Sequence, residues 1–287
     1  MSPSESALSR RRLLLLAGAA VAGAPCSKPD VPVPPPPSKP AVVPSPAAPA
    51  SPVTTAPRIE YRTPTAWGTD LPGITTTGVA GHYHPTVSLT FDACGGEGGS
   101  LVDVALLDTL RREEVPATLF LNARWVRANQ KMAAELAADP LFEIGNHGTR
   151  HVPLSVTGRA AYGIGGTTDV DDAIREVVDN QQVLADVTGI RPTWFRAGTA
   201  HYDDVAVDIV SELGLSIAGF TVNGDAGATL SPPQVAANLA DAPDGAIVLM
   251  HMNQPFGGSG AGLRAGLPRL RERGVRFAHL PGAGQRR

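Results

Sequence analysis

The feature that most constrains this chain is a rhythm. From residue 86 onward, short apolar runs alternate with longer amphipathic stretches. The short runs are Thr86–Asp92, Ala117–Asn122, Phe142–Asn146, Thr193–Arg196, Ser216–Val222, Ala246–His251 and Val275–Leu280. They have the length and bounding signals of strands. Between them lie helix-like segments at Leu101–Arg112, Gln130–Ala138, Val170–Val187, Asp203–Leu213, Pro232–Leu239 and Ala261–Arg273. Within Val170–Val187, the apolar Ile174, Val177, Val178, Leu184 and Val187 recur at helical spacing, which predicts a single buried face. Gly214 and Gly274 stand where helices should stop before the next strand. Strands alternating with helices call for parallel pairing. Seven strands with six intervening helices predict an α/β fold, a distorted (β/α) barrel with about seven parallel strands. There is no internal repeat.

The first 57 residues break this rhythm. Ser9-Arg10-Arg11-Arg12 precedes a small apolar run from Leu13 to Ala24. That run is shorter than the ~20 residues a membrane span needs, so residues 1–25 read as an export signal of the twin-arginine type. Cys26 offers a site for a lipid anchor, although Pro25 departs from the lipoprotein pattern. Residues 26–57 are rich in Pro and Ala, including Pro34 to Pro37, and favour an extended polyproline spacer. Residues 58–287 are expected to form one domain. The expectation is an exported protein, secreted or associated with the cell envelope, with no membrane span in its mature part. A net charge of -3 and no run of Lys or Arg beyond the leader argue against nucleic acid as a partner. Cys94 is the only cysteine of the domain, so an intradomain disulfide is excluded.

The polar residues gather at the C-terminal ends of the predicted strands. Asp92 ends the first, His147 and His151 follow the third, Arg196 ends the fourth, Asp225 follows the fifth, and His251 ends the sixth. In a parallel barrel all of these face one rim, where such folds keep their chemistry. His147 and His151 are four positions apart. On a helical turn that spacing would aim both rings at one cation.

Thr90-Phe91-Asp92, Asn146-His147 with His151, Phe195-Arg196, Asp225 and Leu249-Met250-His251 occur in a telling order. Their order and spacing resemble the NodB-homology polysaccharide deacetylases, carbohydrate esterase family four. The resemblance runs from about Val87 to Leu280. It implies a divalent metal, zinc with cobalt or nickel as variants, held by His147 and His151. The implied substrate is an acetylated polysaccharide such as peptidoglycan, a chitin-like glycan or xylan. Asp92 matches the base that takes a proton from water, and Arg196 the residue that orients it. His251 matches the acid that protonates the leaving group, and Asp225 the carboxylate that orients and charges His251. A backbone N–H of the Asp92–Cys94 loop is expected to steady the oxyanion.

Departures from the family pattern are as informative. The family's second aspartate, a metal ligand, is Ala93 here. Cys94 and Glu97 are the local candidates to replace it, and a thiolate suits zinc. Cys94 also reads as a small, partly buried residue with no ligand role. The glycines at 95, 96, 98 and 99 leave this loop free to take other geometries, but it lacks a phosphate-binding ending. After Arg196 the usual proline and aromatic are absent, and His201 and Tyr202 are expected to line the groove instead. Asp225 matches by position only and also reads as an exposed loop carboxylate. A glycan-binding module that has lost catalysis is the competing reading. Gly257-Gly258-Ser259-Gly260-Ala261 fails the serine-hydrolase elbow at its last position.

Overall fold

The computed structural model describes residues 62–282. The expected export signal, the spacer and Cys26 lie outside them. The first half contains β1 (Trp67–Gly68), β2 (Ile74–Thr75), β3 (Thr86–Ala93), α1 (Val104–Arg112), β4 (Ala117–Leu121), α2 (Ala123–Ala128), α3 (Gln130–Ala138) and β5 (Phe142–Asn146). There follow α4 (Val170–Thr188), β6 (Trp194–Phe195), β7 (Tyr202–Asp203), α5 (Asp204–Glu212) and β8 (Ser216–Ala218). The chain continues through β9 (Val222–Asn223), α6 (Pro232–Ala240), β10 (Ala246–His251), α7 (Ser259–Glu272) and β11 (Arg276–Phe277).

Nine strands form one sheet, in the order β2-β8-β6-β5-β4-β3-β10-β9, with β11 beside the start of β3. All of their pairings are parallel. The segment after β2 crosses the seam. The Thr76 carbonyl accepts from Thr221 Oγ1 at 2.6 Å, and Gly78 donates to the Gly245 carbonyl at 2.8 Å. The result is the distorted α/β barrel expected, with more and shorter strands. Among the described residues, no helix is long and apolar enough to cross a membrane.

Strand parity explains how β3 serves two cores. Val87, Leu89, Phe91 and Ala93 join the main hydrophobic cluster beneath the helices. Ser88, Thr90 and Asp92 alternate with them and face the barrel interior. Both sides are buried, as a parallel sheet requires.

Three sequence expectations change. The run Ser216–Val222 is not one strand: it breaks between β8 and β9. The carbonyls of Ala218 and Gly219 turn inward there to accept from the Arg196 guanidinium at 3.1 and 3.0 Å. The buried face of α4 is Val170, Ala173, Glu176, Val177, Asn180 and Leu184, whereas Val178 is exposed. Helix α2 was not anticipated. Its start is set by Asn122, whose side chain accepts from the Arg124 amide at 3.0 Å.

Candidate active site

The six expected residues converge on one rim of the barrel. Asp92 is the last inward-facing residue of β3. Arg196 Nη1 donates to Asp92 Oδ1 at 2.8 Å and to Thr90 Oγ1 at 2.9 Å. The same guanidinium lies 4.3 Å from the centre of the Phe120 ring. With its Ala218 and Gly219 contacts, this fully buried cation is hydrogen-bonded on three of its nitrogens. Such saturation fixes Asp92 in position. Burial disfavours the Asp92 anion, yet His147, Arg196 and His251 beside it hold the carboxyl below its usual range.

His147 follows β5 and is buried. Its Nδ1 lies 2.8 Å from the Arg196 carbonyl, which can only accept, so Nδ1 carries the proton. Nε2 is left facing Asp92 Oδ2 at 3.6 Å and Cys94 Sγ at 3.9 Å. An outer hydrogen bond of this kind is how proteins orient a ligating imidazole. Burial opposes a charged ring, but Asp92 and Cys94 raise His147 above the ordinary imidazole value.

His151 comes to the same place by a different route from the one its spacing suggested. Residues 147–151 are not helical, and His151 has φ 65°. The loop wraps around the Glu176 carboxylate, which is buried on α4. Glu176 accepts from the amides of Thr149 at 3.0 Å, Arg150 at 2.9 Å and His151 at 3.1 Å. Gly148 is required, because a Cβ there would sit 2.6 Å from Glu176 Oε1. The loop thereby sets the His151 ring edge-on to His147, 4.9 Å between centres. Glu176 is a residue that sequence reasoning missed. The signal was a carboxylate on the buried side of an amphipathic helix, which needs a reason to be there.

On the opposite wall, Asp225 is fully buried, so it is not the exposed loop carboxylate that its context allowed. Asp225 Oδ1 is 2.9 Å from His251 Nδ1, and Oδ2 accepts from the His251 amide at 2.7 Å and Ser259 Oγ at 2.6 Å. Nδ1 of His251 therefore carries a proton and Nε2 turns toward the site. Burial lowers the ring's basicity, but Asp225 and Cys94 overcome this and raise His251 well above neutral imidazole. That direction suits a proton donor. Ser259 was not anticipated.

Cys94 stands at the centre of the group. Among the described residues, Cys94, His147 and His151 form a cluster whose ligand atoms all lie within 4.8 Å of one another. Burial opposes ionisation of the thiol, yet hydrogen bonds from His147, His151 and His251 draw it well below its usual value. Glu97, the other local candidate, is exposed and outside this cluster. Nor is the glycine loop loose. Gly95 donates to the Gly99 carbonyl at 3.0 Å, and a Cβ on Gly95 would sit 2.4 Å from the Trp125 amide nitrogen. The glycines here allow close approach to α2 more than freedom.

A cavity of about 460 Å³ opens onto Asp92, His151 and His251. Tyr162, Ile164, Phe220 and Leu249 supply apolar wall, and Asn223 supplies polar wall. Tyr202 does not line the groove. It is buried, and its hydroxyl accepts from the Ala197 amide at 2.6 Å. His201 is half-buried and packs edge-on against the cavity residue Tyr162 at 5.3 Å. Thr199 holds a positive φ of 76°, unusual for a β-branched residue, and its buried hydroxyl has no partner.

The arrangement joins a carboxylate held by Arg196, an imidazole held by Asp225 and a cluster of nitrogen and sulfur donors on one cavity. A thiol and two imidazoles within 4.8 Å of one another are a donor set that suits zinc. Residues 81–218 match the family described as polysaccharide deacetylase. The peptidoglycan-N-acetylglucosamine deacetylase PgdA of Listeria monocytogenes is 28% identical over 195 residues, covering 68% of this chain and 38% of that protein. The uncharacterized protein YlxY of Bacillus subtilis is 28% identical over 172 residues, 59% of this chain and 49% of that one. The chain thus spans about half or less of the length of these curated relatives. Among solved structures, a CE4 family pseudoenzyme from Bacillus anthracis aligns with TM-score 0.57 and 24% identity, covering 68% of this chain and 64% of that one. PdaA of Bacillus subtilis, a family 4 carbohydrate esterase, aligns with TM-score 0.60 and 18% identity, covering 72% and 82%.

Proposed function

From the premise that this chain carries a polysaccharide deacetylase domain of the NodB-homology, carbohydrate esterase family 4 kind, we propose that it is a metal-dependent hydrolase removing acetyl groups from an envelope polysaccharide. The observation that carries this reading is the opposed pair on one cavity. Arg196 fixes the Asp92 carboxylate at 2.8 Å, and Asp225 fixes the His251 imidazole at 2.9 Å.

The chain's own residues divide the work. Asp92, ionised and held, takes a proton from the attacking water. That water's oxygen bonds to the acetyl carbon. His251 gives its proton to the departing sugar nitrogen or oxygen as the acyl bond breaks, and acetate leaves. A backbone N–H of the Asp92–Cys94 loop steadies the oxyanion in between. His147 and His151 would hold a divalent cation, His147 through the Nε2 that its Nδ1 bond to the Arg196 carbonyl leaves free. Such a cation supplies Lewis acidity and lowers the pKa of bound water. The apolar wall of Tyr162, Ile164, Phe220 and Leu249 suits the acetyl methyl and a sugar face.

The Listeria relative acts on peptidoglycan N-acetylglucosamine. With the export signal and spacer read from the sequence, this favours an N-acetylated cell-wall glycan outside the cytoplasm. Ala93 and the pseudoenzyme neighbour support a second reading, a glycan binder without catalysis. Acetate release from N-acetylglucosamine oligomers separates the two. The enzyme releases acetate and Asp92→Asn does not, whereas a binder retains the oligomer without releasing any.

A further inference from the structure

We infer that Cys94 is the third protein ligand of the metal, so that this domain carries a thiolate–imidazole–imidazole centre of Cys94, His147 and His151. The inference rests on the metal-dependent reading above and deepens it.

Strand parity sets Ala93 and Cys94 on opposite sides. Ala93, at the position of the family's carboxylate ligand, points away from the site. It belongs to the main hydrophobic cluster with Phe91, Leu121 and Trp125, and is fully buried. An aspartate placed at 93 would carry its charge into that core, at a heavy desolvation cost. One residue on, Cys94 returns to the inward side that Thr90 and Asp92 occupy. The ligand has moved along the chain by a single position, and its element has changed from oxygen to sulfur.

The spacing fits. Zinc bond lengths of about 2.3 Å to sulfur and 2.0–2.1 Å to nitrogen put two tetrahedral ligands about 3.6 Å apart. Cys94 Sγ and His147 Nε2 are 3.9 Å apart, a few tenths of an ångström from that separation, and with His151 the three ligand atoms lie within 4.8 Å of one another. The thiol is a free cysteine, with no disulfide to claim it. The neighbouring backbone is held as well, since Arg124 Nη2 donates to the Cys94 carbonyl at 3.1 Å. A sulfur ligand narrows the metal. Zinc and cobalt are favoured, and hard oxygen-seeking ions such as magnesium and calcium are disfavoured.

The test uses cobalt as a reporter, on the full chain purified in reductant. Cobalt-loaded wild type should show a near-ultraviolet thiolate-to-cobalt charge-transfer band with one metal per chain. Cys94→Ser should lose the band, and its cobalt affinity should fall by more than the ~10–100-fold typical of losing an outer partner. Iodoacetamide should label Cys94 in chelated protein and fail to label it once zinc is added. Unchanged far-ultraviolet circular dichroism shows that the variant is folded. Stoichiometric cobalt with no band, together with labelling that zinc does not slow, overturns the role of Cys94 and leaves the histidine pair intact. A wild type that binds no cobalt overturns the metal-dependent reading as well.

Discussion

Arg196 and Asp92 form an ion pair of 2.8 Å between two buried side chains, with the remaining guanidinium nitrogens spent on backbone carbonyls. The pair positions the proposed base and breaks the strand after Ala218, so site and fold share one interaction. Removing one partner of a buried pair leaves the other uncompensated, at about 3–5 kcal/mol. Arg196→Ala should lose that much stability in urea unfolding. Arg196→Lys should fold better but still lose most acetate release, because a lysine cannot reproduce the fork. Full activity in the lysine variant would contradict the positioning role.

Asp225 fixes which nitrogen of His251 faces the cavity. Asp225→Asn keeps the shape but presents an amide that can donate where the ring must donate. The turnover number should fall ~10²–10⁴-fold, the range of a general-acid contribution, with little change in substrate affinity. Steady-state kinetics on N-acetylglucosamine oligomers reads this split. A change confined to KM would mean that Asp225 shapes the groove instead.

Glu176 touches no substrate-facing atom, yet it gathers the amides of Thr149, Arg150 and His151. Glu176→Gln should loosen the presentation of His151 and weaken zinc binding by ~10–100-fold, as losses of outer partners do. Competition against a chromophoric chelator measures it. Unaltered affinity would show that the loop holds its shape without the carboxylate.

Far from the cavity, Asp204 pins the segment before β1 to the start of α5. It accepts from the Thr65 and Ala66 amides and from Arg62 Nη1 at 2.6 Å. Burial opposes its charge, but the Arg62 bond and those from Thr65 and Ala66 hold the carboxyl below the ordinary value. A carboxylate depressed in the folded state stabilises above its unfolded pKa and loses that stability as pH falls through the folded one. Stability from this contact should therefore be complete above about pH 5 and drain away in stronger acid. Asp204→Asn should lower the melting temperature at pH 7 and flatten its decline below about pH 4. Parallel pH curves for the two proteins would count against the clamp.

Much of this was legible in the sequence, because hydrophobic period and strand-end polarity are local signals. The β3, β5 and β10 ends announced Asp92, His147 and His251, and all six expected residues reached one rim. What was not legible depends on distant partners. His151 is aimed by Glu176, 25 residues on, so a helical spacing rule described the right pair with the wrong backbone. Asp225 looked like an exposed loop residue because Ser259, 34 residues on, supplies the bond that accompanies its burial. On α4, Asn180 is buried and Val178 exposed, because Asn180 donates to the Leu121 carbonyl at 2.9 Å. Hydrophobicity alone ranks those two the other way. Cys94 was ambiguous for a simpler reason. Only the strand's parity at Ala93 shows which of two adjacent residues faces His147 and His151.

The most direct measurement is acetate release from N-acetylglucosamine oligomers by zinc-loaded wild type, by the same protein after chelation, and by Asp92→Asn. The account predicts steady release in the first, restored on adding zinc back to the second, and a loss of at least ~10²-fold in the third. Release that is equal in all three, or absent from the zinc-loaded wild type on every acetylated glycan tried, would contradict it.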